Sequence, residues 1–274
     1  MLFDITLITS FSTSPLDFLK LLAHDVRWHL LAALAESDQR VQELVNLLQR
    51  PQNLVSYHLR LLREGQVVRE RRSSADGRDI YYTLNLPYLR LLYLDSGLAL
   101  HPALIYTRPV KTSQPYQPVT GANSEGEWER PFRVLFLCTH NSARSQLAEG
   151  ILRASGGNLV EVLSAGSQPG HIHPLAVRAA AALNIDISGQ YAKHLDEFAG
   201  QTFDYVITVC DRVREICPLF PDDHKQIHWS LADPAEAADD EAQQFQVFMQ
   251  TAQELSTRIS YLLLMMGRSQ QHKT

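Results

Sequence analysis

Three cysteines, Cys138, Cys210 and Cys217, are the residues of this 274-residue chain with the clearest capacity for chemistry. Cys138 follows the apolar run 133–137, which predicts a buried strand, and opens a polar loop that leads into a predicted helix. Such a loop turns backbone N–H groups and a helix N-terminus toward one point, where oxyanions bind. A thiol there is expected to have a lowered pKa and to react as a thiolate. The alternative is a small buried cysteine at a strand end.

Arg144 lies six residues after Cys138 and could hold two oxygens of a tetrahedral anion through its planar guanidinium. The sequence therefore predicts a nucleophile and an anion clamp that converge on one phosphate-sized ligand. The loop residues expected to surround that ligand are Thr139, His140, Asn141, Ser142, Ala143 and Arg144.

The other two cysteines could resolve a covalent intermediate or be inert. Cys210 follows the apolar run 205–209, so it is expected at the same carboxyl edge of a sheet as Cys138. Cys217 comes seven positions later, an offset of about 10.5 Å in a regular helix, which is too long for a disulfide. Bonding between these two thiols would require the segment to unwind, and two unreactive buried thiols are the alternative.

Asp233 precedes Pro234 on a predicted loop and is the candidate general acid. Displacement at a tetrahedral oxyanion needs a proton for the departing oxygen, and a carboxyl group on a proline-stiffened loop could supply it. The Asp-Pro pair is also an ordinary turn signal, so it predicts a catalytic role only together with the loop of Cys138.

The residues that carry this chemistry belong to a half of the chain in which predicted strands and helices alternate. The predicted strands are 133–137, 159–164, 205–209 and 226–229. Predicted helices extend to about 154 and cover 174–183 and 241–266. Alternation of this kind indicates an α/β domain with a four-stranded parallel sheet and ligands at the carboxyl ends of its strands.

The half before it is mostly helical and contains one predicted hairpin. Apolar residues spaced three and four apart predict helices from Pro15 onward, followed by shorter helices at 41–48 and about 52–64. Residues 67–72 and 79–84 flank an Asp-Gly turn, and a last helix covers about 86–98. This order predicts a winged helix-turn-helix whose second helix enters the major groove of DNA. A small helical protein-interaction domain is the alternative.

Polar residues on that second helix and arginines of the wing are the candidate DNA contacts. They are Gln52, Asn53, Ser56, Tyr57, His58, Arg60, Arg72 and Arg78.

Composition and charge separate the two halves further. Residues 15–100 carry 11 Lys and Arg against 10 Asp and Glu, whereas residues 131–274 carry 11 against 16, so the net charge of -5 belongs to the second half. Five prolines and many small polar residues between 101 and 131 predict a linker. The chain shows neither a secretory signal nor an apolar run of transmembrane length, and its sparse cysteines suit a reducing compartment. We therefore expect a cytoplasmic protein without a membrane partner.

Residues 15–100 resemble the ArsR-type family of dimeric winged-helix repressors. The segments that carry the resemblance are 18–23, 41–44, 55–65 (VSYHLRLLREG) and 80–84. The resemblance implies operator DNA as a partner and a homodimer formed through the last helix, residues 86–98. Arsenite-sensing members place cysteines before the recognition helix, where this chain reads ELVNLL at 43–48, so a thiolate sensor is not expected there. His24, His29 and His101 lack the spacing of a metal site.

Residues 132–265 resemble the arsenate reductases built on the low-molecular-weight tyrosine phosphatase fold, a three-layer α/β domain. The segments that carry this resemblance are 138–149 (CTHNSARSQLAE), 164–166, 173–177, 185–188, 206–211, 217–221 and 228–235 (HWSLADPA). The resemblance implies that Cys138 attacks arsenate held by Arg144 while Asp233 protonates the departing oxygen. Cys210 then attacks Cys138 and releases arsenite, and Cys217 attacks Cys210 to leave a disulfide that thioredoxin or a similar dithiol reduces.

The resemblance also implies supporting roles around the loop. Asn141 and Ser145 match positions that support the loop and the thiolate, and Asn141, Glu149 and Ser164 match positions that some members use around a potassium ion. No tightly bound cofactor is implied.

Together these features predict an α/β protein with three parts: a winged helix-turn-helix at 15–100, a linker at 101–131 and a phosphatase-like arsenate reductase domain at 132–274. One rival is a tyrosine phosphatase that uses Cys138, Arg144 and Asp233; against it, Ala235 and Glu236 follow Pro234 in place of an aromatic pair. The other rival is a transcription factor whose second half only senses an oxyanion or a redox state.

Overall fold

The computed structural model describes residues 13–75, 77–101, 104, 130–216, 224–237 and 240–271. Contacts divide them into two compact units, one holding the elements between Pro15 and Leu100 and the other those between Phe132 and Gln271. Most of the predicted linker and Cys217 lie outside the described residues. Among the helices that are described, none combines the length and apolar character that crossing a bilayer requires.

The first unit is the predicted winged helix-turn-helix. Its helices are α1 Pro15–Leu22, α2 Asp25–Glu36, α3 Val41–Leu48, α4 Gln52–Glu64 and α5 Leu86–Leu100. As predicted, the Ser14 side chain caps α1 by accepting from the Asp17 N–H, and Pro15 takes the first helical position. The core of the unit is an apolar cluster from all five helices and the hairpin. Its most buried members include Leu30, Leu44, Val55, Leu59 and Leu62.

The wing contains one strand more than the sequence predicts. The three strands are β1 Gln39–Arg40, β2 Val68–Arg72 and β3 Ile80–Leu84, all antiparallel, in the order β1-β3-β2. Strand β1 has only two residues, too few for an alternating pattern. Its second residue, Arg40, is also the N-cap of α3, and the Arg40 backbone N–H donates to Glu43.

The second unit has the predicted four-stranded parallel sheet. Its strands are β4 Phe132–Cys138, β5 Val160–Gly166, β6 Tyr205–Thr208 and β7 Lys225–His228, in the order β5-β4-β6-β7. Strand β4 is central, and its residues 134–137 are fully buried, which explains its uninterrupted apolar run.

In the described part of the second unit, four α-helices pack around this sheet: α6 Arg144–Gly156, α7 Pro174–Ala182, α8 Asp211–Ile216 and α9 Glu241–Gln271. Helix α6 packs on β4 and β5 and against α7 and α9, while α8 packs on β4 and β6. Cys138 ends β4 and Cys210 directly precedes α8, so both thiols come to the carboxyl edge of the sheet, as predicted.

Candidate active site

The Cys138 thiol lies inside the loop that joins β4 to α6. The sulfur accepts from the Asn141 backbone N–H at 3.1 Å and lies 2.8 Å from the Ser145 hydroxyl. Asn141 has a φ of 48°, a left-handed conformation that asparagine adopts more readily than most residues. The loop therefore turns a backbone N–H and a first-turn hydroxyl of α6 toward the sulfur.

Gly166, the last residue of β5, permits this loop to pack closely against the sheet. A Cβ atom at this position would lie 2.6 Å from the Thr139 carbonyl oxygen and 2.8 Å from the Asn141 nitrogen. Both neighbours are backbone atoms, so neither could rotate away. Gly166 thus has a steric role beneath the loop.

Asn141 is the residue that ties the loop together. Its side-chain Nδ2 lies 2.9 Å from the Ser145 hydroxyl and 2.8 Å from the Ser164 hydroxyl. Its Oδ1 accepts from Gln146 Nε2 at 2.9 Å and from the Lys193 backbone N–H at 2.8 Å. Because Asn141 is fully buried and all these groups are satisfied, the loop is held in one shape.

Arg144 and Asp233 meet at the mouth of the loop. One guanidinium nitrogen of Arg144 donates to the Leu231 carbonyl at 2.9 Å and another to Asp233 Oδ2 at 2.5 Å. The other carboxylate oxygen of Asp233 caps the short helical turn that begins at Pro234. The segment after β7 therefore delivers a carboxyl group to the residue predicted to bind the anion.

A cavity of about 210 Å³ opens between these groups. It is lined by Cys138, His140, Ser142, Ala143, Arg144, Gly170, Asp233 and Ala235. The predicted nucleophile Cys138, the predicted anion-binding Arg144 and the predicted acid Asp233 thus line the same cavity. Two predicted loop residues point elsewhere: Asn141 turns into the protein, and the Thr139 hydroxyl lies 3.4 Å from the Cys210 sulfur.

Cys210 is buried and free, as is Cys138, and its contact with Thr139 places it beside the loop. The expected reactivity of Cys138 needs a correction. Burial raises the pKa of the Cys138 thiol, and the neighbouring Cys210 raises it further, while Arg144, the Ser145 hydroxyl and the Asn141 N–H act in the opposite direction. Helix N-termini lower thiol pKa values at partly exposed positions, whereas this thiol is desolvated.

The residues expected to surround potassium come together but do not form a cation cage. Ser164 Oγ donates to Glu149 Oε2 at 2.5 Å and accepts from Asn141 Nδ2. The Lys193 ammonium lies 3.4 Å from that same carboxylate oxygen, and Asn141 Oδ1 is taken by two N–H donors. A potassium ion needs several free oxygen ligands. These residues therefore do not fit the ion.

Two buried polar residues of the site were not predicted. Gln146 donates to the carbonyls of Asn141 and Tyr191, and Lys193 contacts Glu149. The signal available for Gln146 was a polar residue on the first turn of an otherwise buried helix. For Lys193 there was none, because only the tertiary fold brings this position, 44 residues along the chain, to Glu149.

The candidate DNA contacts divide by exposure. Gln52, Asn53, Ser56, Tyr57 and Arg60 of α4 are exposed, as are the two wing arginines, Arg72 and Arg78. His58 corrects the prediction: it is buried, its ring centroid lies 4.3 Å from that of His24, and its Nδ1 has no hydrogen-bond partner among the residues that the structure describes. Burial, followed by the neighbouring His24 and Arg27, lowers the pKa of His58.

The described histidines of the first unit do not assemble a metal site. Within the part of the chain that the structure describes, no three His, Cys, Asp or Glu side chains are placed to hold a metal ion.

Comparison with known proteins gives two family matches. Residues 133–272 match the low molecular weight phosphotyrosine protein phosphatase family, and residues 24–70 match the bacterial regulatory protein, arsR family. The chain is 36% identical over 126 residues to a protein of Halalkalibacterium halodurans named arsenate reductase, covering 46% of this chain and 91% of that protein.

Another relative and one solved structure are also similar to about half of the chain. An arsenate reductase of Shouchella clausii is 38% identical over 128 residues, which is 46% of this chain and 91% of the relative. A solved structure described as an arsenate reductase in the oxidized state is 28% identical, with a TM-score of 0.44, and the match covers 49% of this chain and 98% of that one.

Proposed function

The chain belongs to the low molecular weight phosphotyrosine protein phosphatase family, and we propose that its second unit reduces arsenate to arsenite while its first unit binds operator DNA. The observation that carries the enzymatic part is the shared cavity of Cys138, Arg144 and Asp233, with Cys210 beside the loop. The identity of 36% to a protein named arsenate reductase, over 91% of its length, supports the choice of substrate.

The first step follows from the charges around the cavity. An arsenate dianion that enters would take the Arg144 guanidinium from Asp233 and bind through two oxygens. Because burial raises the pKa of Cys138, its thiol keeps its proton until arsenate arrives, and a thiolate need not be buried beside the dianion. The proton then passes to an arsenate oxygen. The thiolate that forms is stabilised by the Asn141 N–H and the Ser145 hydroxyl.

Attack by the Cys138 sulfur on arsenic breaks one As–O bond. Asp233, released from Arg144, relays the proton given up by the Cys138 thiol to this oxygen, which departs as water. The product of the step is a thioester of arsenic(V) on Cys138, with its remaining oxygens on Arg144 and the loop.

The reduction follows when Cys210 attacks the Cys138 sulfur. The S–As bonding pair stays on arsenic, which becomes arsenic(III) and leaves as arsenite after taking up protons, while a Cys138–Cys210 disulfide forms. In the proposed scheme Cys217 then attacks Cys210 and frees Cys138. A dithiol of the thioredoxin type reduces the Cys210–Cys217 disulfide, which is why we propose the cytoplasm as the compartment.

The first unit offers two surfaces to the proposed regulator. The exposed face of α4 and the wing arginines would contact DNA. Exposed apolar side chains on α5, with two more on α1, would pair two copies through these helices. They are Leu91, Tyr93, Leu94, Leu98, Leu16 and Leu19.

Arsenite production tests the enzymatic proposal. Reduced protein with arsenate, thioredoxin, thioredoxin reductase and NADPH should form arsenite over many turnovers, and Cys138→Ser should form none. Arg178→Met is the matched control, because Arg178 is an exposed residue of the same unit outside the cavity. Wild-type protein that forms no arsenite would refute the proposal.

A tyrosine phosphatase is the second candidate, since the matched family takes its name from that activity. The observation against it is that Ala235, a small side chain, lines the cavity after Asp233-Pro234. Rapid hydrolysis of p-nitrophenyl phosphate without arsenate reduction would favour the phosphatase. Operator binding that responds to arsenate, with neither activity, would favour a sensor.

A further inference from the structure

Lys193 and Glu149 form a buried pair of opposite charges that the proposed reaction does not use. Their side chains are 6% and 3% exposed, and Lys193 Nζ lies 3.4 Å from Glu149 Oε2. The ammonium has two further partners, the Tyr191 carbonyl oxygen at 3.0 Å and the Tyr191 ring at 4.7 Å. Removing two charges from water is costly, so a pair at this depth suggests a specific role.

The pair connects to the nucleophile through a short series of hydrogen bonds. The Glu149 oxygen that contacts Lys193 accepts from Ser164, and Ser164 in turn accepts from the Asn141 amide. Asn141 donates through its backbone to the Cys138 sulfur and through its side chain to the Ser145 hydroxyl. Every link is buried, so the position of the ammonium bears on the position of the loop.

Lys193 also reaches the loop from the other side. Its backbone N–H donates to Asn141 Oδ1 at 2.8 Å, while its ammonium acts on Asn141 through Glu149 and Ser164. The two contacts hold both ends of the Asn141 amide, which keeps that residue in its left-handed conformation. A side chain fixed in this way is a positioning residue of the anion-binding loop.

We infer that the Lys193 ammonium is a built-in monovalent cation for the loop, so that the chain holds its active loop without potassium. The inference rests on the proposed function for its activity readout. The physical basis of the inference is that the Lys193 ammonium already neutralises the buried Glu149 Oε2. A free cation at this position would have to share that oxygen with the ammonium. Arg153 contacts the other oxygen of Glu149 from a half-exposed position, so it leaves the inner oxygen to Lys193.

The first test uses the unaltered chain. Arsenate reduction and thermal unfolding are measured in potassium chloride and in choline chloride at equal ionic strength. The inference predicts the same kcat, the same KM for arsenate and the same Tm in both salts. Stimulation by potassium, or a Tm that rises with potassium in a saturable way, would overturn it.

The second test removes the ammonium. Lys193→Met keeps the length of the side chain and should lower kcat by about 10- to 100-fold, because the loop shifts relative to the bound anion. Arg178→Met removes a positive charge from the surface of the same unit and should leave kcat unchanged. A Lys193→Met protein that folds and has wild-type kcat would overturn the inference.

The third test asks whether a free cation can replace the ammonium. Lys193→Ala leaves space beside Glu149, so potassium or ammonium ions should restore a large part of its activity and raise its Tm, with no such effect on wild type. Lys193→Arg, which keeps the charge, should retain more activity than Lys193→Met. Identical losses in all three variants with no response to cations would indicate a packing role and overturn the inference.

Two readouts separate this inference from the proposed function. The affinity for inorganic phosphate and the rate of Cys138 alkylation by iodoacetamide both report the loop without arsenate turnover. If wild type reduces no arsenate, the proposed function fails, whereas a potassium response of Lys193→Ala in these two readouts still supports the built-in cation. If wild type reduces arsenate but needs potassium, the built-in cation fails alone.

Discussion

The two units place their polar side chains in opposite ways. In the second unit the polar residues around Cys138 are buried and bond to one another, whereas in the first unit the polar residues of α4 mostly face solvent. Asn141, Ser145, Ser164, Glu149 and Lys193 illustrate the buried network. A site that satisfies its own polar groups is shaped before its ligand arrives, whereas the exposed face of α4 would acquire its partners only from the DNA that we propose it binds.

This difference predicts that substitutions in the second unit change arsenate reduction without changing DNA affinity. Substitutions on α4 of the first unit should change DNA affinity without changing arsenate reduction.

The largest effect is expected for Cys138→Ser, which replaces the sulfur nucleophile. Arsenite formation should fall by at least about 10⁴-fold, because a hydroxyl at this position can neither attack arsenic effectively nor form the disulfide. Operator affinity, measured by fluorescence anisotropy, should not change; a parallel loss of DNA binding would break the comparison.

Asp233→Asn tests the proposed acid with nearly unchanged size. The amide can still accept from Arg144 but cannot protonate a departing oxygen, so kcat should fall by about 10²- to 10³-fold. Phosphate affinity should fall much less than kcat. Equal losses in kcat and in phosphate affinity would assign Asp233 to anion binding alone.

Ser145→Ala tests how the loop controls the thiol. Burial raises the pKa of Cys138, so its alkylation at neutral pH should be slower than that of a free thiol and should increase as the pH rises past about 8.5. Removing the hydroxyl removes a contact that lowers this pKa, and alkylation at pH 7 should fall by about another tenfold. A profile that is flat from pH 6 upward would contradict a raised pKa.

Gly166→Ala tests the steric support of the loop. The new Cβ atom would meet the Thr139 carbonyl and the Asn141 nitrogen, so the loop must move, at a cost of about 1–3 kcal/mol of unfolding free energy. Gly170→Ala is the matched control, because no atom of the described residues lies within 4 Å of a Cβ at that position. Urea denaturation gives the unfolding free energy of both variants. Equal values for the two would contradict the steric role of Gly166.

Arg60→Ala tests the DNA face and should have a smaller effect than the changes at Cys138 and Asp233. Operator affinity should fall by about tenfold at moderate salt, with arsenate reduction unchanged. Arg63→Ala is the control on the same helix, since the Arg63 guanidinium is paired with Glu70 at 2.6 Å. A larger loss for Arg63 than for Arg60 would place the DNA on another face of α4.

Local pattern was sufficient for most of the fold. The bounds of α3 and α4 match the predicted helices, and the four strands of the second unit lie within two residues of the predicted ranges. Helix α8 was not predicted because its six residues are too few for a periodic pattern. The two-residue strand β1 was missed for the same reason.

Tertiary contacts account for what the sequence did not predict in the site. Cys138 and Arg144 flank one strand-to-helix loop, and Asp233 precedes a proline on the segment after β7, so all three could be proposed from sequence. The raised pKa of Cys138 depends on its burial, and His58 is buried with its ring packed on that of His24, a residue of another helix region. The contact of Lys193 with Glu149 likewise depends on the fold and leaves no local signal.

One measurement tests the central claim most directly: the arsenite released by reduced Cys217→Ser protein, with intact-mass and peptide analysis of its disulfides. The proposed relay predicts about one arsenite per chain, after which turnover stalls and a Cys138–Cys210 disulfide accumulates. Continued turnover at the wild-type rate, or arsenite formation without that disulfide, would contradict it.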